Sequence, residues 1–117
     1  MDMDASIPGP DTIYASDLNQ GLFKWKFDGN SWKLINNFSS LGGFGAISTY
    51  SPDGLSVIIL AVGFNSQNPN ASNSIYRIID NGNSFSYTTV MTSPNGTIYA
   101  GLGHSPIGSS SDVLILN

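Results

Sequence analysis

No cysteine occurs in the 117 residues. That absence excludes a disulfide framework, a thiol nucleophile and any cysteine-ligated zinc or iron–sulfur cluster. Glutamate is absent too, so all eight acids are aspartates. Charged residues make up only 10% of the chain, against about 25% in an average soluble protein. Four basic side chains stand against eight acidic ones, a poor match for a phosphate backbone, so nucleic acid is not an expected partner. The longest apolar run, residues 57–62, is strand-sized and far short of the roughly 20 residues of a membrane helix, so no membrane span is expected. No basic segment followed by an apolar one stands at the start, and no signal peptide is expected.

Good helix formers are scarce, while Ile, Val, Thr, Tyr, Phe and Trp are plentiful. The composition therefore predicts an all-β chain. Serine (18), glycine (13) and asparagine (12) supply the turns. Residues 1–10 hold two prolines and no periodicity, and they read as a flexible N-terminal tail before one repeat domain over residues 11–117. Strands are expected at residues 12–16 (TIYAS), 21–27 (GLFKWKF), 31–35, 45–50, 57–62, 74–79, 84–90, 97–101 (TIYAG) and 112–116, with turn residues between them. In GLFKWKF, Phe23, Trp25 and Phe27 share one face, and Leu22, Lys24 and Lys26 the other. At least two of these three aromatics are expected in the core.

The chain repeats internally. GLFKWKFDGNSW (residues 21–32) lies over SIYRIIDNGNSF (residues 74–85) without a gap, at an offset of 53 residues. Leu22 falls on Ile75, Phe23 on Tyr76, Lys24 on Arg77, Trp25 on Ile78 and Trp32 on Phe85. Gly-Asn-Ser is identical in both copies. TIYAS is echoed by TIYAG, with ILAVG between them, and Ser51-Pro52-Asp53-Gly54 is echoed by Ser93-Pro94-Asn95-Gly96. A unit of four short antiparallel strands per 40–50 residues is the pattern of a β-propeller blade.

Around the last turn of each unit, residues 21–35 resemble the blades of tectonin-type, sugar-binding propellers, which carry a Leu-Tyr-x-Trp-Asp-Gly-x-x-Trp run. Asp80-Asn81-Gly82-Asn83-Ser84-Phe85 resembles the core of the Asp-box propellers of sialidases and related secreted glycosidases. In that family the Asp and Gly close a turn and the aromatic packs between blades, without a catalytic role. A closed propeller needs about 4–8 blades; at about 42 residues per blade this chain supplies about two and a half. The expected solutions are a ring or stack of several copies, as in the small oligomeric propeller lectins that the chain resembles in size and turn chemistry, a piece of a larger propeller, or a β-sandwich instead.

The candidate binding residues are Trp25, Trp32 and Tyr76 as stacking platforms for sugar rings, with Asp28, Asn30 and Asn83 as hydrogen-bonding partners and the loop 65–73 beside them. The other reading of the aromatics is core between blades, and that of Asp28 and Asp80 is turn closure on backbone N–H groups. The single histidine, His104, permits a Ser–His–Asp set with Ser105 or Ser109 and Asp112, but there is no Gly-x-Ser-x-Gly elbow and eighteen serines make such a set easy to draw. Three N-glycosylation sequons, at Asn37, Asn70 and Asn95, are what this much Asn, Ser and Thr gives by chance. The sequence thus predicts a non-enzymatic module with no cofactor and no metal. Its expected form is a carbohydrate-binding, lectin-like oligomer, extracellular, with copies of itself and glycans as partners. The competing readings are an assembly subunit pairing by strand addition, and a fragment of a secreted propeller such as a glycosidase.

Overall fold

The computed structural model describes residues 1–104 and the strand Val113–Leu116. Among the described residues there is no helix. The strands are β1 (Thr12–Asp17), β2 (Gly21–Phe27), β3 (Trp32–Phe38), β4 (Gly43–Tyr50), β5 (Val57–Phe64), β6 (Ser74–Asp80), β7 (Phe85–Thr92), β8 (Gly101–His104) and β9 (Val113–Leu116). They form three antiparallel meanders: a first sheet β1-β2-β3, a second sheet β4-β5-β6-β7 and a third sheet β8-β9. The all-β expectation holds.

The repeated hairpins close identically. In loop 28–31, Asp28 Oδ1 accepts from the N–H groups of Asn30 and Ser31 at 2.9 Å each. In loop 81–84, Asn81 Oδ1 accepts from Asn83 and Ser84 at 3.0 Å each. This is the side-chain turn that Asp and Asn favour. The glycine conformation recurs as well: Gly29 has φ 91° and Gly82 has φ 98°, a region open to glycine and costly for a residue with a Cβ. Register then extends the equivalence. Trp25 pairs with Ile13 and Leu34, and Ile78 pairs with Ile59 and Tyr87. TIYAS in β1 and residues 58–62 in β5 therefore hold the same place in their sheets.

Three expectations fail here. TIYAG is not a strand; β8 begins only at Gly101. The reason is Asn73, whose side-chain amide accepts from Tyr99 N–H at 2.8 Å and donates to Tyr99 C=O at 2.8 Å. One side chain thus takes the backbone groups that a neighbouring strand would have paired. The two Ser-Pro turns are not equivalent either: residues 51–54 join β4 to β5, whereas residues 93–96 lie between β7 and β8. Strand β3 also runs on to Phe38, into the stretch expected as loop, because Leu22 and Phe23 of β2 pair with Phe38 and Asn37.

The core lies between the first and second sheets. Leu22, Phe44, Val57, Ile59, Ala61 and Ile78 are buried there, with Tyr14, Phe38, Tyr76 and Phe85 packed around them. Each large apolar side chain removed from water contributes about 1.5–3 kcal/mol. β5 is buried from Val57 to Gly63: the first sheet covers one face and β8 lies against β4 and β5. The first and second sheets meet closely at Gly43, where a Cβ would stand 1.8 Å from the Leu18 carbonyl oxygen. Residues 1–10, expected as a tail, form no strand. Their first residue is tied to β1: the Met1 ammonium donates to Thr12 C=O at 2.6 Å and Thr12 N–H donates to Met1 C=O at 3.0 Å. Asp11 Oδ2 accepts from the N–H groups of Met3 and Asp4 at 2.7 and 2.6 Å.

Candidate functional site

Alternation along β2 decides which side chains meet the second sheet. Leu22 and Lys24 are buried, at 0% and 6% exposure, while Trp25 is 37% exposed. The lysine face is therefore the inner one. Of Phe23, Trp25 and Phe27, at least two of which are expected in the core, Phe23 and Phe27 are half-buried and Trp25 is exposed. Register places Ile13, Trp25, Phe27, Trp32 and Leu34 on one outer face of the first sheet. Ile13, Trp32 and Leu34 are also exposed there, and Trp32 rests on Phe27 with ring centroids 5.4 Å apart. No charged side chain shares this face except Asp17 at its end.

Four of the six candidate residues gather at this hairpin. Trp25 and Trp32 lie on its outer face, and Asp28 and Asn30 lie in its closing loop. Asp28 also holds Lys33, with Oδ2 2.6 Å from Nζ. The Lys33 hydrogen bond, helped by the two loop N–H groups, draws the Asp28 carboxyl down to about 2. The other two candidates stand apart. Tyr76 packs between the sheets against Phe44 and Tyr87, so the first sheet separates it from Trp25. Asn83 occupies the matching loop of the second sheet, its N–H held by Asn81. Ser105, Ser109 and Asp112 lie outside the described residues, and His104 ends β8.

The seam between the sheets holds a polar cluster that sequence reasoning missed. Lys24 Nζ stands 2.6 Å from Asp80 Oδ2, with both side chains almost fully buried. Tyr14 Oη donates to the same oxygen at 2.6 Å, and Gly82 N–H donates to Asp80 Oδ1 at 2.8 Å. Burial pushes the Asp80 carboxyl up, but the hydrogen bonds from Lys24, Tyr14 and Gly82 outweigh it and hold it below the usual carboxylate value. Burial, then the Asp80 hydrogen bond and charge, push the Tyr14 phenol up. A cavity of about 140 Å³ beside the cluster is lined by Thr12, Lys26 and Leu55 among others. Both carboxylate oxygens of Asp80 are hydrogen-bonded, and the cluster joins the two sheets. The signal for it was the repeat itself: Asp80 falls on Phe27 at the 53-residue offset, an acid where the other copy carries an apolar ring.

Among the described residues no group of three or more His, Cys, Asp or Glu side chains is placed to hold a metal ion, and no helix is long and apolar enough to cross a membrane. The molecule thus presents a buried ionic seam and an uncovered aromatic sheet face, and comparison adds nothing to either, because no family model, curated protein or solved structure matches the chain.

Proposed function

We propose that the protein is a non-enzymatic recognition module that works by self-association, with the outer face of the first sheet covered by a second copy. The observation that carries this reading is the inequality of two equivalent faces. Ile13 and Trp25 are 45% and 37% exposed, whereas Ile59 and Ile78, which hold the same register positions in the second sheet, are both 0% exposed. The second sheet's face is dry because the first sheet lies on it. The first sheet offers the same surface, with larger aromatic rings, and nothing within the described residues covers it. Trp is enriched among the few residues that carry most of an interface's binding energy, and an end sheet of a repeat stack is left incomplete without a neighbour. In this reading the sheets are blades of an incomplete propeller. The meander order within each sheet and the contact of β4 with both β1 and β8 favour it over a two-layer sandwich. Low charge and abundant Ser and Asn suit an extracellular surface.

The test is mass in solution by light scattering at two concentrations, for the parent chain and for Trp25→Lys. A discrete oligomer that the variant reduces to monomer supports the reading. A stable parent monomer of 12.4 kDa at both concentrations overturns it.

A second reading is carbohydrate binding at Trp32. Its support is the exposed ring beside Asn30, whose side-chain amide has no partner among the described residues. A glycan array on Trp32→Ala and Trp25→Lys separates the two: sugar binding lost only with Trp32→Ala favours this reading, and its absence from the parent chain removes it.

A further inference from the structure

The seam between the first and second sheets is written a second time on the face of the second sheet turned away from the first. At the 53-residue offset Lys24 falls on Arg77, Phe27 on Asp80, Trp32 on Phe85, Leu34 on Tyr87 and Phe38 on Met91. Register keeps the equivalence past the bulge in each sheet: Leu22 pairs with Phe38, and Ile75 pairs with Met91. Inside the chain the seam is made by two contacts. Lys24 Nζ stands 2.6 Å from Asp80 Oδ2. The Phe38 ring lies 5.8 and 5.9 Å from those of Phe85 and Tyr87.

Arg77 and Met91 hold the places of Lys24 and Phe38, and their partners are missing. Alternation puts Ile75, Arg77 and Ile79 of β6 on the far face, with Met91 of β7 paired beside Ile75. Lys24 is buried and its charge is met by Asp80. Arg77 is half-buried, with no hydrogen bond or ion pair among the described residues. Phe38 is half-buried against two rings, whereas Met91 is 40% exposed.

We propose that the first sheet of a second copy docks here, head to tail, and that Arg77 is the residue that selects it. This rests on the self-association proposed above and names the surface that meets the Trp25 face. Repeating the internal seam once more sets Arg77 against Phe27 of the next copy, and Met91 against its Trp32 and Leu34. Phe27 and Trp32 already lie together, with centroids 5.4 Å apart. A guanidinium stacks on such rings, and a thioether packs well against them. The internal seam thus matches a lysine to an acid, and the external one matches an arginine to an aromatic pair. β8 opens the third sheet as β4 opens the second: Gly101-Leu102-Gly103 echoes Gly43-Phe44-Gly45, and β8 lies against the second sheet as β4 lies against the first. β9 pairs with β8 as β5 pairs with β4, and β1 is the equivalent of β5. The incoming β1 therefore takes the place of β9 beside β8.

The test is sedimentation velocity of the full chain over a range of concentrations. Arg77→Glu is expected to raise the concentration of half-assembly about tenfold or more. Phe27→Lys, which sets two cations together, is expected to do the same. An equal mixture of the two variants is expected to regain association, since the new acid of one then faces the new lysine of the other. Face-to-face docking of two first sheets gains nothing from mixing. Arg77→Gln repeats the first measurement without reversing the charge, in case Arg77→Glu fails to fold. A parent chain that is monomeric at every concentration overturns the self-association reading and this proposal with it. A parent oligomer untouched by the Arg77 variants, or a mixture no more associated than its two parts, overturns this proposal alone.

Discussion

At the scale of single residues, the buried pair of Lys24 and Asp80 makes the strongest demand on the fold. Lys24→Met leaves the Asp80 carboxylate buried with Tyr14 and Gly82 alone, and the expected cost is about 3–5 kcal/mol. Replacing both at once, with Lys24→Met and Asp80→Leu, is expected to recover most of that loss, since the desolvated charge disappears with its partner. Urea midpoints of the two variants check this. The pair also makes stability depend on pH. The Asp80 carboxyl is held below its ordinary value of 3.8, so its contribution is complete above that value and is lost as pH falls through the lowered one. Asp80→Asn removes this component, and its urea midpoint is expected to fall less than the parent's between about pH 7 and about pH 2. Composition pointed the other way. Alternation separated the aromatic and lysine faces of β2 correctly, but hydrophobicity then assigned the aromatic face to the core. What reverses the assignment is an acid from the other repeat, and the neutralisation of a buried lysine by Asp80 is a tertiary fact that no window on β2 contains.

At the scale of elements, what was legible was local. The strands around loops 28–31 and 81–84 follow from alternation and from the Asp or Asn that closes each loop. β5 follows from an unbroken apolar run. Residues 97–100 (TIYA) repeat the first four residues of β1 and lie in no sheet, because Asn73, distant in sequence, already holds Tyr99 N–H and C=O. Asn73→Ala is therefore expected to cost about 1–3 kcal/mol and to speed amide hydrogen exchange in residues 97–100, while β6 and β7 keep their protection. Equal acceleration across the whole second sheet would show that Asn73 supports more than its segment. Gly43 tests the contact between sheets in the same way. Gly43→Ala puts a methyl group where the Leu18 carbonyl stands, and the sheets must separate to admit it. The expected loss is about 3 kcal/mol or more, at the upper end of overpacking changes, seen as a lower thermal midpoint. For the candidate site, the residues of the first hairpin were legible as a group because they share one turn and one strand face. Tyr76 was not separable from them by sequence, since at the 53-residue offset it is the image of Phe23 and only the packing of the two sheets sends one inward and leaves the other at an open face.

At the scale of the whole molecule, the sheets follow one another in chain order, and the outer face of the first sheet exposes Ile13, Trp25, Trp32 and Leu34. In the proposed self-association, a charge at Trp25 acts on assembly there without touching the Lys24–Asp80 seam on the reverse side. Trp25→Lys is thus expected to lower the mass in solution while leaving the thermal midpoint of the isolated chain within about 1 kcal/mol equivalent of the parent. A variant that unfolds instead would place Trp25 in the chain's own core.

The hydrogen bond from Gly82 N–H to the Asp80 carboxylate also bears on how the molecule ages. Asparagine followed by glycine deamidates when the glycine nitrogen loses its proton and attacks the asparagine side chain. The chain has two such pairs, Asn81-Gly82 and Asn95-Gly96. In the first, the attacking nitrogen is bound to a buried negative charge and the target amide is fixed on Asn83 and Ser84; in the second, neither restraint is present among the described residues. Peptide mapping of stored protein is expected to find aspartate and isoaspartate at position 95 first, with position 81 following only after Asp80→Asn has removed the charge that guards it.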